Sequence, residues 1–207
     1  LILHGNNKSV SELEMALGAG VGRIVIDSFD EMDRIDRLVD GGHTSPDVLI
    51  RVTPGIEAHT HEYLQTGAED SKFGFGLRSG DAQIALERAL RSPSMHLRGM
   101  HMHIGSQVFD AASFARAVDR VAPFVGPAGL EEFSIGGGLG VAYLAGERAP
   151  SISDWGVAVR EAVARTGIRS KVLAEPGRSI VARAAVTLYR VGTIKEIEGV
   201  RTYLAVD

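Results

Sequence analysis

The stretch Lys171-Val172-Leu173-Ala174-Glu175-Pro176-Gly177-Arg178 carries the sharpest chemical signal in the chain. A short run of strand character delivers a carboxylate, Pro-Gly stops the strand, and an arginine follows at once. A carboxylate at the end of a buried strand needs a cationic or hydrogen-bonding partner, because an unpaired buried charge is very costly. Three further segments hold groups able to share a pocket with it: Gly136-Gly137-Gly138, His103 and Ser106.

Each of these has a chemical reading and a bland one. Gly136-Gly137-Gly138-Leu139-Gly140 follows the strand-like Phe133-Ser134-Ile135, and glycines there either let N–H groups converge on an anion or make a tight βα connection. Their spacing is not that of a dinucleotide fingerprint. His101 and His103 lie two apart in a strand and share one face, while Met100, Met102 and Ile104 share the other. The methionines suit the helix side of a sheet, so both histidines point inward, with His103 nearer the C-terminal end. Such a histidine is catalytic or a satisfied core residue. A zinc site is the third reading, but no third ligand is convincingly spaced. Ser106 donates to a phosphate or caps a turn. Arg51 shares a face with Leu49 and Thr53, is inward by the same parity, and needs an anion, either Glu175 or another carboxylate in a structural ion pair. Lys72 stays ambiguous.

A carboxylate, a glycine loop and an inward histidine together match the needs of pyridoxal 5'-phosphate. Amino-acid decarboxylation leaves a carbanion that the protonated ring absorbs. A carboxylate at the ring nitrogen keeps that proton in place, an imidazole on the ring face positions it, and glycine N–H groups hold the phosphate.

Strand-like and helix-like segments alternate to position these groups. Short apolar or β-branched runs at 1–4, 23–27, 47–53, 97–105, 132–135 and 172–175 read as strands, and 9–17, 28–39, 80–90, 112–125 and 153–166 read as helices. Ser9 and Glu12 form a capping-box pattern. Residues 56–71 make one long polar loop, of the kind that serves function. Repeated strand–helix units imply a parallel sheet flanked by helices. Polar residues at the C-terminal ends of several strands favour a (β/α)8 TIM-type barrel over an open doubly wound sheet, since in a barrel such ends ring one site. Six strands of this type are expected, two short of a closed barrel. Residues 185–197 and 200–206 read as two strands with no helix between, so 1–180 is expected to be a partial barrel domain and 181–207 the start of a C-terminal β domain.

With 44% hydrophobic and 23% charged residues over 207, the composition is that of an ordinary globular protein. A net charge of −4 gives no reason to expect nucleic acid or an anionic membrane as partner. No apolar run reaches membrane-span length and no segment reads as a signal peptide. Without cysteine there are no disulfides, which is compatible with a cytoplasmic location. Both ends fall inside strand-like runs, so the chain is expected to be a fragment of a longer protein.

His4-Gly5-Asn6-Asn7-Lys8-Ser9, Ser71-Lys72-Phe73-Gly74, His101-Met102-His103-Ile104-Gly105-Ser106-Gln107, Gly136-Gly137-Gly138-Leu139-Gly140 and Glu175-Pro176-Gly177-Arg178 resemble, in order, the motifs of the diaminopimelate decarboxylase family. The resemblance implies an alanine-racemase-type barrel followed by a β domain, pyridoxal 5'-phosphate as cofactor, and decarboxylation of meso-2,6-diaminopimelate to L-lysine. It implies that His103 stacks on the cofactor ring, that Gly136, Gly137, Gly138 and Ser106 contact the phosphate, and that Glu175 pairs with the ring nitrogen. Pro176 and Gly177 would line the cofactor, while Arg178 would meet the phosphate edge and a substrate carboxylate. It also implies a homodimer with shared sites. The family's Schiff-base lysine has no match here, since neither Lys8 nor Lys72 sits in that motif, so the fragment alone is expected to be inactive. A related ornithine, arginine or carboxylated-polyamine decarboxylase, or a non-catalytic cofactor-binding homologue, are the other readings.

Overall fold

The computed structural model describes residues 1–56 and 71–207, so the polar loop expected at 56–71 lies almost wholly outside the described residues. Its elements alternate as expected. Strand β1 (Ile2–Leu3) leads to helix α1 (Val10–Gly18), β2 (Arg23–Ile26) to α2 (Phe29–Asp40), and β3 (Asp47–Thr53) through β4 (Phe75–Gly76) to α3 (Asp81–Arg91). Then come β5 (His96–Met102), α4 (Ala111–Val125), β6 (Glu132–Ser134), α5 (Ile152–Thr166), β7 (Lys171–Leu173) and the short α6 (Gly177–Val181). An antiparallel hairpin of β8 (Val191–Ile197) and β9 (Arg201–Val206) ends the chain.

Local chemistry explains where the helices begin. The Ser9 hydroxyl accepts from the Glu12 N–H while the Glu12 carboxylate accepts from the Ser9 N–H, closing the capping box. Ser28 caps α2 in the same way through the Glu31 N–H. At α5, Ser151 and Asp154 form a second reciprocal pair, so that helix starts slightly earlier than its apolar pattern indicates.

All main-sheet pairings are parallel, in the order β1-β2-β3-β5-β6-β7, with β4 on the last two residues of β3. Side-chain parity splits the sheet into two faces. Val48, Ile50, Val52, Met100, Met102, Ile104 and Phe133 join the helices in one core, each 1% exposed or less. Fully burying each such side chain stabilises the fold by roughly 1.5–3 kcal/mol. The opposite face carries Leu49, Arg51, Thr53, His101 and Ser134, all buried on the concave side.

The sheet is curled. Arg23, at the start of β2, makes a two-pronged 2.9 Å contact with Glu132, at the start of β6, although β3 and β5 lie between them in the sheet. Arg23 also meets Asp47 at 2.9 Å, and Arg98 bridges Asp47 and Glu131 at 2.9 and 3.1 Å. These charges gather at the N-terminal rim of the strands. The result is an α/β half-barrel of six strands.

Two expectations need adjusting, one at β7 and one before β8. Glu175 lies beyond β7, and that strand is an exposed edge of three residues rather than a buried one. The segment from Ala185 is not strand until Val191. Both strands of the hairpin are exposed along their whole length.

Candidate active site

Every chemically able residue singled out on the concave face lies at or just past the C-terminal end of a strand. β1 delivers His4, β2 delivers Asp27, β3 carries Arg51, and β5 carries His101 and leads to His103. Ser134 ends β6, the glycine turn follows it, and Glu175 follows β7.

Glu175 is the hub. Its Oε1 accepts from the Ser134 hydroxyl at 2.8 Å, and lies 3.3 Å from His101 Nε2 and 3.7 Å from His4 Nε2. The His101 contact has ion-pair range without hydrogen-bond alignment, and both ring nitrogens of this buried imidazole lack a hydrogen-bond partner among the described residues. Burial works to raise the Glu175 pKa, but His101, the Ser134 hydroxyl and His4 outweigh it and bring it down to about 2. Glu175 is therefore ionised at neutral pH.

His103 has the opposite character. Its Nδ1 accepts the Gly137 N–H at 3.3 Å, which leaves the ring proton on Nε2. Burial, with Arg51 and His101 nearby, lowers its pKa to about 4, so it is neutral at physiological pH. Arg51 does not reach for Glu175 first. Its Nε lies 3.5 Å from Asp27 Oδ1, and its guanidinium sits over the Phe73 ring at 4.4 Å from the centroid. Lys72 leans on the other contact of that ring at 5.2 Å.

Lys8 is fully committed elsewhere. This buried ammonium donates to the carbonyls of Gly5 at 2.5 Å and Val25 at 2.8 Å, and pairs with Glu31 at 2.6 Å.

The glycine turn is forced by packing as well as by any ligand. A Cβ on Gly136 would stand 2.3 Å from the Met102 carbonyl, on Gly137 2.0 Å from that of Glu175, and on Gly138 1.8 Å from that of Gly105. Gly136 and Gly138 also have φ of 67° and 101°, which side-chain-bearing residues rarely adopt. The Gly136 N–H donates to Ser134 and that of Gly137 to His103. Gly138 keeps its N–H without a partner among the described residues. Arg178, in α6, donates to the Tyr143 hydroxyl at 3.0 Å, and Ser106 sits half-buried in the turn after β5.

The structure thus brings together Glu175, His103 and the glycine turn, and adds three residues that were not assigned to the site from the sequence: His4, Ser134 and Asp27. Their only signal is position, each lying at the C-terminal end of a strand. The set fits a pyridoxal group: an ionised carboxylate, a neutral imidazole, and a side-chain-free turn where any Cβ would collide with backbone.

Comparison with known proteins agrees. A family model described as pyridoxal-dependent decarboxylase, pyridoxal binding domain, matches residues 1–182. Diaminopimelate decarboxylase of Halalkalibacterium halodurans is 42% identical over 215 residues, covering 99% of this chain and 49% of that protein. The Bacillus subtilis enzyme of the same name is 42% identical over 220 residues, again across 99% of this chain and 49% of its own length. The crystal structure of diaminopimelate decarboxylase from Helicobacter pylori complexed with L-lysine superposes with a TM-score of 0.83 at 30% identity, covering 100% of this chain and 52% of that one. The chain spans about half the length of the curated relatives it matches. It belongs to the pyridoxal-dependent decarboxylases, and residues 1–182 are the part that matches their pyridoxal-binding domain.

Proposed function

We propose that the protein of which this chain forms part decarboxylates meso-2,6-diaminopimelate to L-lysine with pyridoxal 5'-phosphate. The observation that carries this is Glu175, a carboxylate held ionised at the mouth of the half-barrel beside a neutral His103 and the glycine turn. The choice of substrate is supported by the relatives named diaminopimelate decarboxylase.

When bound, the cofactor supplies the electron sink for the carbanion left by loss of carbon dioxide. Glu175 would pair with the ring nitrogen and hold a proton there, because a carboxylate of so low a pKa stabilises a cation beside it without taking the proton. Ser134 fixes that carboxylate by donating to Oε1. His103 would cover the ring, and its neutrality would avoid placing a second positive charge against a cationic group. Gly136, Gly137 and Gly138 shape the phosphate turn, with the Gly138 N–H, Ser106 and Arg178 as donors. Pro176 and Gly177 carry the chain from Glu175 to Arg178 and would line the cofactor, while Arg178 would also meet a substrate carboxylate.

Residues 1–180 form the cofactor-binding barrel portion and 181–207 open a β domain, in a cytoplasmic homodimer that completes the pocket. The test is carbon dioxide release by the full-length protein offered meso-diaminopimelate, ornithine and arginine separately. Release from diaminopimelate with L-lysine as product is expected; release from ornithine or arginine alone would overturn the substrate assignment. Glu175→Ala should lower turnover by roughly 10²-fold or more while cofactor is still bound.

A further inference from the structure

The same hub has a second chemistry available to it. We propose that His4, His101 and Glu175 form a divalent transition-metal site that takes zinc in the cofactor-free protein and thereby keeps the cofactor out.

Two of the ligand-atom separations lie near those of a zinc site, and rotation of the side chains would close the third. Zinc binds nitrogen at about 2.0–2.1 Å and carboxylate oxygen at about 2.0–2.2 Å, which sets tetrahedral neighbours about 3.3–3.5 Å apart. The observed separations from Glu175 Oε1 are 3.3 Å to His101 Nε2 and 3.7 Å to His4 Nε2, and all three ligand atoms fall within 4.8 Å of one another. Two histidines and a glutamate are the ligand set of catalytic zinc sites, which leave a fourth position open.

A second observation is independent of that spacing. His101 is 1% exposed, yet neither of its ring nitrogens has a hydrogen-bond partner among the described residues. Its Nε2 meets the Glu175 carboxylate at ion-pair range without a hydrogen bond, and a metal ion between them would satisfy both groups. The rings of His4 and His101 meet edge-on, at 65° and 4.9 Å between centroids. The Ser134 hydroxyl donates to the same Oε1 at 2.8 Å and fixes the carboxylate, as outer-shell donors do for metal-binding carboxylates. Arg51, a cation on the same concave face whose charge reaches His4 and Glu175, pairs with Asp27 at 3.5 Å.

Exclusion of the cofactor rests on the reading that Glu175 faces the ring nitrogen; the metal site does not. A divalent cation on Glu175 would cancel the charge that holds a proton on the ring nitrogen and would repel the protonated ring.

The test uses full-length protein stripped of cofactor with hydroxylamine, titrated calorimetrically with zinc chloride. Cobalt(II) absorption reports the coordination geometry in parallel. One zinc per chain is expected, with tetrahedral cobalt bands. His4→Gln, a half-exposed position chosen to spare the fold, should weaken binding by about 10–100-fold, as should Ser134→Ala. Thermal unfolding of the metal-free variants confirms that they remain folded. No saturable zinc binding, or binding equally tight in His4→Gln and His101→Gln, would overturn the site. Reloading with pyridoxal phosphate should be slowed in proportion to zinc occupancy. Zinc binding that is lost in the variants but leaves cofactor affinity unchanged would overturn the exclusion alone, and would move Glu175 away from the ring nitrogen.

Discussion

At the scale of single residues, the concave face is a set of charges whose neighbours decide their state. Lys8 and Glu31 are buried together, and burial raises the Glu31 pKa against the pull of Lys8. Removing one partner strands the other. Lys8→Met should destabilise the protein by about 3–5 kcal/mol, while Lys8→Met with Glu31→Leu should recover most of the loss in urea unfolding. Full recovery is not expected, because Lys8 also satisfies two carbonyls. His103 gives a pH signature. Its folded pKa of about 4 lies below the ordinary 6.5, so the unfolded chain binds more protons between these values. Its contribution is complete above pH 6.5 and is lost as the pH falls through about 4. His103→Gln should flatten the acid-side decline of stability in that window. An undiminished slope would assign the decline to other groups. Parity made the inward pair His101 and His103 legible in the sequence, because period two is a local property. His4 and Ser134 were not legible as neighbours of Glu175. The Ser134 contact spans 41 residues and exists only once the sheet has curled.

At the scale of elements, helix starts were legible because caps are local chemistry: Ser9 and Ser28 mark α1 and α2 within a residue. Strand ends were less so. β7 stops at Leu173, and the following single turn α6 is too short to show any helical period, so Pro176-Gly177 reads only as a stop. The glycine turn joins these failures to function. It read as an anion-binding loop or as a flexible or tight βα connection, and what the tightness serves, letting the ends of β5 and β7 close on it, depends on the sheet. Gly137→Ala places a methyl 2.0 Å from the Glu175 carbonyl, which must move. The expected result is a loss of about 1–3 kcal/mol in stability. A fall in cofactor affinity should accompany it, since the displaced backbone is that of Glu175. Retained affinity alongside reduced stability would separate the turn's packing role from any part in placing the carboxylate.

At the scale of the molecule, the half-barrel has a charged rim at one end and the Glu175 cluster at the other. Its outer strands are short, two residues in β1 and three in β7, which limits the backbone they offer for pairing with other chains. The exposed apolar side chains of the hairpin, Ile194 and Leu204 among them, offer a larger sticky surface. The rim clasp holds the curvature. Arg23→Met removes both hydrogen bonds to Glu132 and should cost about 1.5–3 kcal/mol, measured as a shift in the denaturation midpoint. Glu132→Gln should cost less, since one prong remains able to bond.

The clasp joins residues separated by 109 positions, and that separation has a kinetic meaning. Closing so long a segment of chain is entropically unfavourable until the strands between are already paired. The Arg23–Glu132 contact should therefore be absent from the transition state for folding. Arg23→Met is expected to leave the refolding rate almost unchanged and to accelerate unfolding by nearly the whole of its free-energy effect. The pair then acts as a latch on the native state, setting how long the curl persists once formed and leaving its rate of assembly untouched.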